Sequence, residues 1–300
     1  MPRPNRAAPA KRGIVSGPTP SSAVRVAVII PCHNDGQLAR EAVRSTIGSE
    51  PSEVVVVDDA STEPATLEAL EGLQGEGVRV IRHEHNQGLS AARMTGLQAT
   101  SAPFVFPLDS DDLLAPGALR ALADRLSGDP QLAVAFGDYE EFGERSRICR
   151  VPPRLDAFRI AYRNQYPVSS MFRRDALSRV GGWRDIAGLV GYEDWHLWMT
   201  LGEHGERGVH IGPGKVVLRR RIHGSRMLGD AGRRHRELYR HLRRLHPRLF
   251  SEIAAHRART DLPRSRRWLY PILYGARPPL AIWSRVISRS TARARRAPRQ

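Results

Sequence analysis

The sequence predicts an α/β fold, a mostly parallel sheet flanked by helices, followed by a basic helical C-terminal extension. Three observations predict it. From Val24 onwards short β-branched runs alternate with helix-period segments, most runs carry an unbroken apolar stretch, and the whole charge excess sits in the last seventy residues. Unbroken apolar strands are buried on both faces, as in parallel sheets covered by helices. With 300 residues and 41% hydrophobic content, the chain can bury a sizeable core.

VRVAVII reads as the opening strand, and Leu38, Ala42, Val43, Thr46 and Ile47 then fall on one face of a helix. EVVVVDD (53–59) is a second strand, followed by a helix carrying Leu67, Leu70 and Leu73. VRVIRH (78–83) is a third, followed by a helix through Leu89, Ala92 and Leu97. A fourth run, PFVFPLD (103–109), ends in an acidic cluster and precedes a helix with Leu119, Leu122 and Leu126, then LAVAFGDY (132–139). Right-handed crossovers would bring the carboxyl ends of these strands to one edge, where open α/β sheets bind ligands. Asp59 and Asp109 both fall at such ends.

From about Cys149 the alternation stops, and Pro, Gly and aromatic residues surround a predicted helix at Asp194–Gly202 that is expected to complete the site. Beyond Asp230, Leu238, Leu242 and Leu245, with Leu249, recur at helical spacing among arginines. The organisation expected is a disordered basic arm (1–22), an α/β domain (23–229) and an Arg-rich helical extension (230–300).

Two cysteines, Cys32 and Cys149, leave no disulfide framework and no paired-Cys zinc site, which suits a cytoplasmic setting. Residues 1–22 lack the apolar stretch of a secretory signal, and no run of eighteen apolar residues occurs; the nearest approach, Trp268 to Trp283, is broken by Arg277 and three prolines. The formal charge is +16, yet residues 1–230 hold 28 Lys+Arg against 28 Asp+Glu, while residues 231–300 hold 19 arginines against Glu237, Glu252 and Asp261. A neutral core argues against nucleic acid as the partner. The tail instead resembles interfacial anchors, and is expected to hold the protein at the cytoplasmic face of an anionic membrane.

In PLDSDDLLAPGAL, a strand that delivers Asp109 and Asp111 to its end concentrates negative charge that a divalent cation would relieve. Such an ion takes its remaining ligands from water and substrate phosphates. Equally open is a cap for the helix starting near Pro116, with Asp112 the cap in either case. VVVVDDAST repeats the arrangement: Asp59 could accept hydrogen bonds from a base or ribose, or belong to a turn in which Ser61 or Thr62 caps the next helix. HNQGLSAARMTGL supplies Asn86 and Gly88 in a turn and Arg93 on a helix, facing a base or phosphate, or pairing with a carboxylate at the surface. In GLVGYEDWHLWMTL, Tyr192, Trp195 and Trp198 flank Glu193 and Asp194, so that desolvation could raise a carboxylate toward general-base duty while the rings serve a sugar or lipid acceptor. The alternative is a capping pair on a helix whose tryptophans are core. His223 becomes a candidate metal ligand only beside the acidic cluster. Cys32 and His33 are adjacent on an extended segment, point apart, and form no nucleophile pair.

Taken in order, IIPCHND, VVVVDDAST, NQGLSAARMTGL, PLDSDDLL, GGWRDIAGLVGYEDWHLW and RIHGSRM resemble the motif series of family-2 glycosyltransferases from about Val26 to Arg226. The resemblance implies a GT-A, Rossmann-like domain over 23–229 and an inverting transfer from a nucleoside-diphosphate sugar, a UDP-sugar by family lean, to a hydroxyl of a glycan or lipid-linked acceptor. It implies that Pro31, His33, Asn34, Asp59, Asn86 and Arg93 surround the nucleotide, with Asp109 and Ser110 by the ribose and diphosphate. Asp111, with His223, would hold Mn2+ or Mg2+; Asp194 would be the general base; Trp183, Glu193 and Trp195 would line the acceptor side. His33 stands where the family often has Tyr, and Met94 where Asn commonly follows the Arg. Two rivals are weighed: a catalytically inactive GT-A-like protein docking on membrane or nucleic acid through its tail, and a nucleotidyltransferase, whose Gly-rich basic loop PCHNDG lacks.

Overall fold

The first apolar run folds as β1 (Val26–Cys32), with every residue buried. The computed structural model describes residues 26–49, 53–223 and 233–276. Around β1 lie β2 (Glu53–Asp58) on one side and β4 (Phe104–Pro107) on the other, both parallel to it, with β3 (Arg79–Arg82) parallel to β2. The period of two sorts the side chains. Ile29, Val55, Val57 and Val105 point to the face covered by α3 (Leu89–Ala99), whose Ala92 and Leu97 meet them. Val28, Ile30, Val56 and Phe106 point to the face covered by α1 (Gly36–Thr46), α2 (Pro64–Gly75) and α4 (Ala118–Ser127). Each large apolar side chain buried this way contributes roughly 1.5–3 kcal/mol. Close approach matters as well: a Cβ on Gly96 of α3 would lie 2.3 Å from Ile29 Cγ2.

The α/β fold with a mostly parallel sheet is therefore as expected, but several elements differ. LAVAFGDY breaks at Gly137 into β6 (Leu132–Phe136) and β7 (Asp138–Gly143), which belong to different sheets. A Cβ on Gly137 would lie 2.7 Å from the Lys215 carbonyl, so only glycine lets the chain cross there. Two further strands enter the main sheet: β9 (Met171–Arg173), antiparallel between β4 and β6, and β10 (Arg207–His210), parallel to β6 at the edge. The order is β10-β6-β9-β4-β1-β2-β3. A second sheet, β5-β11-β7-β8, comprises β5 (Leu113–Leu114), β11 (Val216–Ile222), β7 and β8 (Arg147–Cys149). Its strand β11 reads VVLRRRI; Arg219 pairs with Glu140 at 3.0 Å across to β7, and Arg220 pairs with Glu141.

Ile47, expected on the inner face of α1, is the C-cap and is exposed, because the helix ends at Thr46. Helix α4 starts at Ala118 after Gly117 in the left-handed region (φ 71°), six residues past Asp112, so the acidic cluster does not cap it. Neither Ser61 nor Thr62 caps α2: the Asn34 carboxamide oxygen accepts the backbone N–H groups of Thr62 (2.8 Å) and Glu63 (3.1 Å) instead.

Beyond β9 come α6 (Arg174–Arg179) and α7 (Glu193–Glu203), the helix expected at Asp194–Gly202; α5 (Ala157–Ile160) precedes them. The extension folds as α8 (His235–Leu245), α9 (Pro247–Ser251), α10 (Ile253–Arg259) and α11 (Arg264–Leu273). Leu238, Leu242 and Leu249 are buried in the same core as Trp195 and Trp198 of α7. Tyr239 donates to the Ala161 carbonyl at 2.9 Å. The boundary expected at 229/230 therefore does not separate two cores: of the leucines expected on an interfacial stripe, Leu238, Leu242 and Leu249 are packed inside, while Leu245 is exposed. The expected arm (1–22), the stretch 224–232 and the tail 277–300 lie outside the described residues. Among the described residues no helix is long and apolar enough to cross a membrane.

Candidate functional site

The carboxyl ends of β1, β2 and β4 share one edge of the sheet, and the loops beyond them carry the acidic motifs. Two loop residues there, Asn34 (φ 59°) and Ala60 (φ 58°), hold left-handed backbone without being glycine. Such strain persists only where surroundings enforce it. Asn34 does so through its bonds to Thr62 and Glu63, and its N–H donates to Ser61 Oγ at 2.9 Å. His33, exposed, donates from Nδ1 to the Asp59 carbonyl at 2.8 Å, and its Nε2 then accepts from the Asn34 carboxamide N–H at 3.4 Å. Pro31 is buried within β1.

Asp59 is committed to its own loops. Its Oδ1 accepts from Gln87 N–H (2.8 Å) and lies 2.7 Å from His83 Nδ1; its Oδ2 accepts from Gly88 N–H at 2.7 Å. Burial pushes this carboxyl up, but those two N–H groups and His83 together hold it below the ordinary carboxylate range. One lone pair on Oδ2 remains for a ligand. His83, whose Nε2 is 2.9 Å from Thr95 Oγ1, was not singled out from the sequence. Asn86 is exposed and accepts from Gly88 N–H at 3.1 Å, forming the turn that opens α3.

Arg93 is neither a surface residue nor positioned to face a base. It is fully buried on α3 and bridges two carboxylates, donating from one terminal nitrogen to Asp109 Oδ1 at 2.6 Å and from the other to Asp194 Oδ1 at 2.8 Å. Its Nε–H has no hydrogen-bond partner. The reason is packing: α3 turns this position onto the sheet, so a permanent cation must be neutralised from within. Asp109 and Asp194 retain 31% and 35% side-chain exposure, so each keeps one side toward solvent. At Asp194, burial raises the carboxyl most, Arg93 lowers it, Asp109 and Glu193 raise it, and the result is about 6.

The three acids of DSDD point to three partners. Asp109 meets Arg93, while Asp111 Oδ2 lies 3.0 Å from His223 Nε2, both side chains partly exposed. Asp112 is buried and accepts Arg221 N–H at 2.9 Å, joining the motif to β11. Burial and the neighbouring Asp111 and Asp109 drive the Asp112 carboxyl well above the usual range. Ser110 sits half-buried in the turn, which closes with Asp112 N–H on the Asp109 carbonyl at 3.0 Å. Arg221, also missed, donates from Nε to the Asp111 carbonyl at 3.1 Å and pairs with Glu41 at 2.5 Å. The signal for it was the Arg219–Arg221 triplet, whose outer members share a strand face.

Among the described residues no group of three or more His, Cys, Asp or Glu side chains is arranged to hold a metal. Asp111 and His223 form a pair. One carboxylate and one imidazole suit an ion that completes its shell from phosphate oxygens and water, and do not make a closed cage.

The acceptor-side expectations fare differently. Trp183 and Trp195 are buried and offer no ring face to an acceptor: Trp183 packs edge-on to Phe172 (5.9 Å), and Trp195 donates from Nε1 to the Ile160 carbonyl at 2.7 Å. Both are core, since large rings without a partner outside gain most by burial. Glu193 folds back on its own loop, accepting Gly191 N–H at 2.8 Å and 2.9 Å. Only Asp194 of this segment joins the cluster.

The family model for glycosyl transferase family 2 matches residues 27–181. The chain is 31% identical over 143 residues to the succinoglycan biosynthesis protein ExoU of Rhizobium meliloti (strain 1021), covering 43% of this chain and 42% of that one. It is 37% identical over 109 residues to the pre-mycofactocin glycosyltransferase of Mycobacterium tuberculosis, covering 36% of this chain and 22% of that one. The chain thus spans less than half the length of either relative. The fold resembles that of S. aureus TarS 1-349 in complex with UDP-GlcNAc, with a TM-score of 0.59, 20% identity, and coverage of 82% of this chain and 70% of that one. With half of its residues matched by the family model, this chain belongs to glycosyl transferase family 2.

Proposed function

We propose that the protein is an inverting glycosyltransferase that moves a sugar from a nucleoside-diphosphate sugar, a UDP-sugar, to a hydroxyl of a glycan or lipid-linked acceptor. The observation that carries the reading is the buried Arg93 bridge, because it sets Asp194 beside the acidic end of β4 with a carboxyl at about 6. A base with that value is ionised at neutral pH and basic enough to take a proton from a hydroxyl as it attacks. Family membership supports transfer chemistry. A nucleotide-sugar complex among the fold's neighbours supports the donor class, and a polysaccharide biosynthesis protein among the relatives supports the acceptor class.

In this mechanism Asp194 Oδ1 is held by Arg93, leaving Oδ2 to accept the proton of the acceptor hydroxyl. The acceptor oxygen forms its bond to the anomeric carbon as the bond to the diphosphate oxygen breaks, and inversion follows from attack on the opposite face. Asp111 and His223 would hold a divalent cation, Mn2+ or Mg2+, which when bound neutralises the charge of the departing diphosphate. Asp109 Oδ2 and the remaining Asp59 lone pair are the acceptors available to ribose and base. Arg93 supplies no ligand contact; it fixes Asp109 and Asp194 relative to each other.

The test is release of nucleoside diphosphate from a panel of nucleotide sugars with glycan and lipid-linked acceptors. Asp194→Asn should lower turnover at least about 100-fold, within the range of lost general-base catalysis. Near-normal turnover in Asp194→Asn would overturn the assignment.

A further inference from the structure

Four large apolar side chains on α11 are largely exposed: Trp268 is 65% exposed, Leu269 50%, Ile272 53% and Leu273 46%. They stand at i, i+1, i+4 and i+5, so they form a single ridge. The opposite face pins the helix. Tyr270 is buried 5.9 Å from the Phe158 ring and donates to Gln165 Oε1 at 2.7 Å, while Arg267 donates to the carbonyls of Ala258, Thr260 and Leu262. The ridge therefore faces outward by construction. Single exposed apolar residues are ordinary, but four contiguous ones on an anchored helix mark a contact surface.

The surroundings specify the partner. The Arg257 guanidinium lies 3.9 Å over the Trp268 ring, and Arg264 and Arg266 are exposed on α11 itself. Of the nearby acids, Asp261 pairs with Arg159 at 2.6 Å and Glu252 with Arg248 at 3.1 Å. The chain then continues past residue 276 with seven arginines and no acidic residue in 277–300. An apolar ridge with a cationic rim matches a partner that is apolar inside and anionic at its surface. A second copy of this chain would set arginine against arginine.

We propose that α11 seats this ridge in the headgroup–acyl boundary of an anionic lipid bilayer, with Trp268 as the interfacial anchor and Arg257, Arg264 and Arg266 at the level of the phosphates. The attachment lies on α11, not on Leu238 and Leu242 of α8, which belong to the core. It stands apart from the transfer chemistry, so its failure leaves that reading untouched.

The experiment is co-sedimentation of the full chain with phosphatidylcholine vesicles, with and without phosphatidylglycerol. Binding to the anionic vesicles and much weaker binding to the neutral ones is expected. The combined variant Trp268→Ser, Leu269→Ser, Ile272→Ser, Leu273→Ser should bind at least about tenfold more weakly at physiological salt with an unchanged melting temperature. Wild-type protein that ignores anionic vesicles, or a serine variant that binds them equally, overturns the proposal. So does a wild-type dimer that the serine variant dissolves. Should the serine variant not fold, Trp fluorescence of a Trp283→Phe protein decides: brominated phosphatidylglycerol should quench Trp268, the remaining tryptophans 183, 195 and 198 being buried, and no quenching overturns the proposal.

Discussion

Replacing Arg93 with Met tests whether one buried cation organises the site. Removing one partner from a buried ion pair costs about 3–5 kcal/mol, because the other charge is left uncompensated. Here two carboxylates lose their partner, but both keep about a third of their side-chain surface in water (31% and 35%) and can re-hydrate. In addition, the wild-type Arg93 Nε–H is unpartnered, and Met removes that cost. The net loss expected is about 2–3 kcal/mol, read from urea denaturation. A second readout separates this role from mere packing. Arg93 is what holds the Asp194 carboxyl down against burial, Asp109 and Glu193, so its loss should move the acid limb of the pH–rate profile upward from about 6. Arg93→Lys should recover stability in part, since an ammonium cannot span both oxygens. A stability loss below about 1 kcal/mol with an unmoved acid limb would refute the reasoning.

Other outcomes follow from the same geometry. Asp111→Asn and His223→Gln should each weaken nucleotide binding in the presence of Mn2+ while leaving metal-free binding unchanged, as measured by calorimetry. Gly36→Ala should lower stability by about 1–3 kcal/mol in urea, because the new Cβ would lie 2.6 Å from the Thr66 Cα and 2.8 Å from its carbonyl, backbone that cannot rotate away. His196 Nδ1 lies 2.8 Å from His246 Nε2, and burial, then His246, drive His196 down from 6.5 to about 4. A histidine with a lowered folded value binds protons more readily when unfolded, so its contribution is full above pH 6.5 and is lost on acidification toward 4. Between pH 7 and pH 5 the loss is about 2 kcal/mol, and the His196→Gln protein should show a correspondingly smaller fall in its denaturation midpoint over that interval.

The parallel half of the fold was legible because buried parallel strands are continuous apolar runs: VAVII, VVVV and FVF admit no other placement once helices separate them. The second sheet was not legible. Its strand β11 hides its pairing in cross-strand Arg–Glu contacts, which read locally as a charged surface stretch. Three-residue β9 is too short to carry a period. Within the site, residue types at strand ends pointed to Asp59, Asp109 and Asp111 as candidates, and the order of motifs brought in Asp194 and His223. What each side chain touches was beyond reach of the sequence. An arginine on a helix gives no local sign of being turned inward onto two carboxylates, so Arg93 was assigned to the nucleotide. Aromatic residues beside an acidic pair suit an acceptor platform as well as a core, and the core took Trp195, as it took Trp183, which the resemblance had put on the acceptor side. Leu238 and Leu242 of α8 had the spacing of an interfacial stripe, but α7 offered them an apolar surface first, while Leu245 of the same stripe is exposed.

The most direct measurement is thermal unfolding of the wild-type protein with each nucleoside diphosphate, with and without Mn2+, beside Asp111→Asn. The account predicts a rise in melting temperature for UDP that requires the metal and is lost in Asp111→Asn. No metal-dependent rise with any nucleoside diphosphate would contradict it.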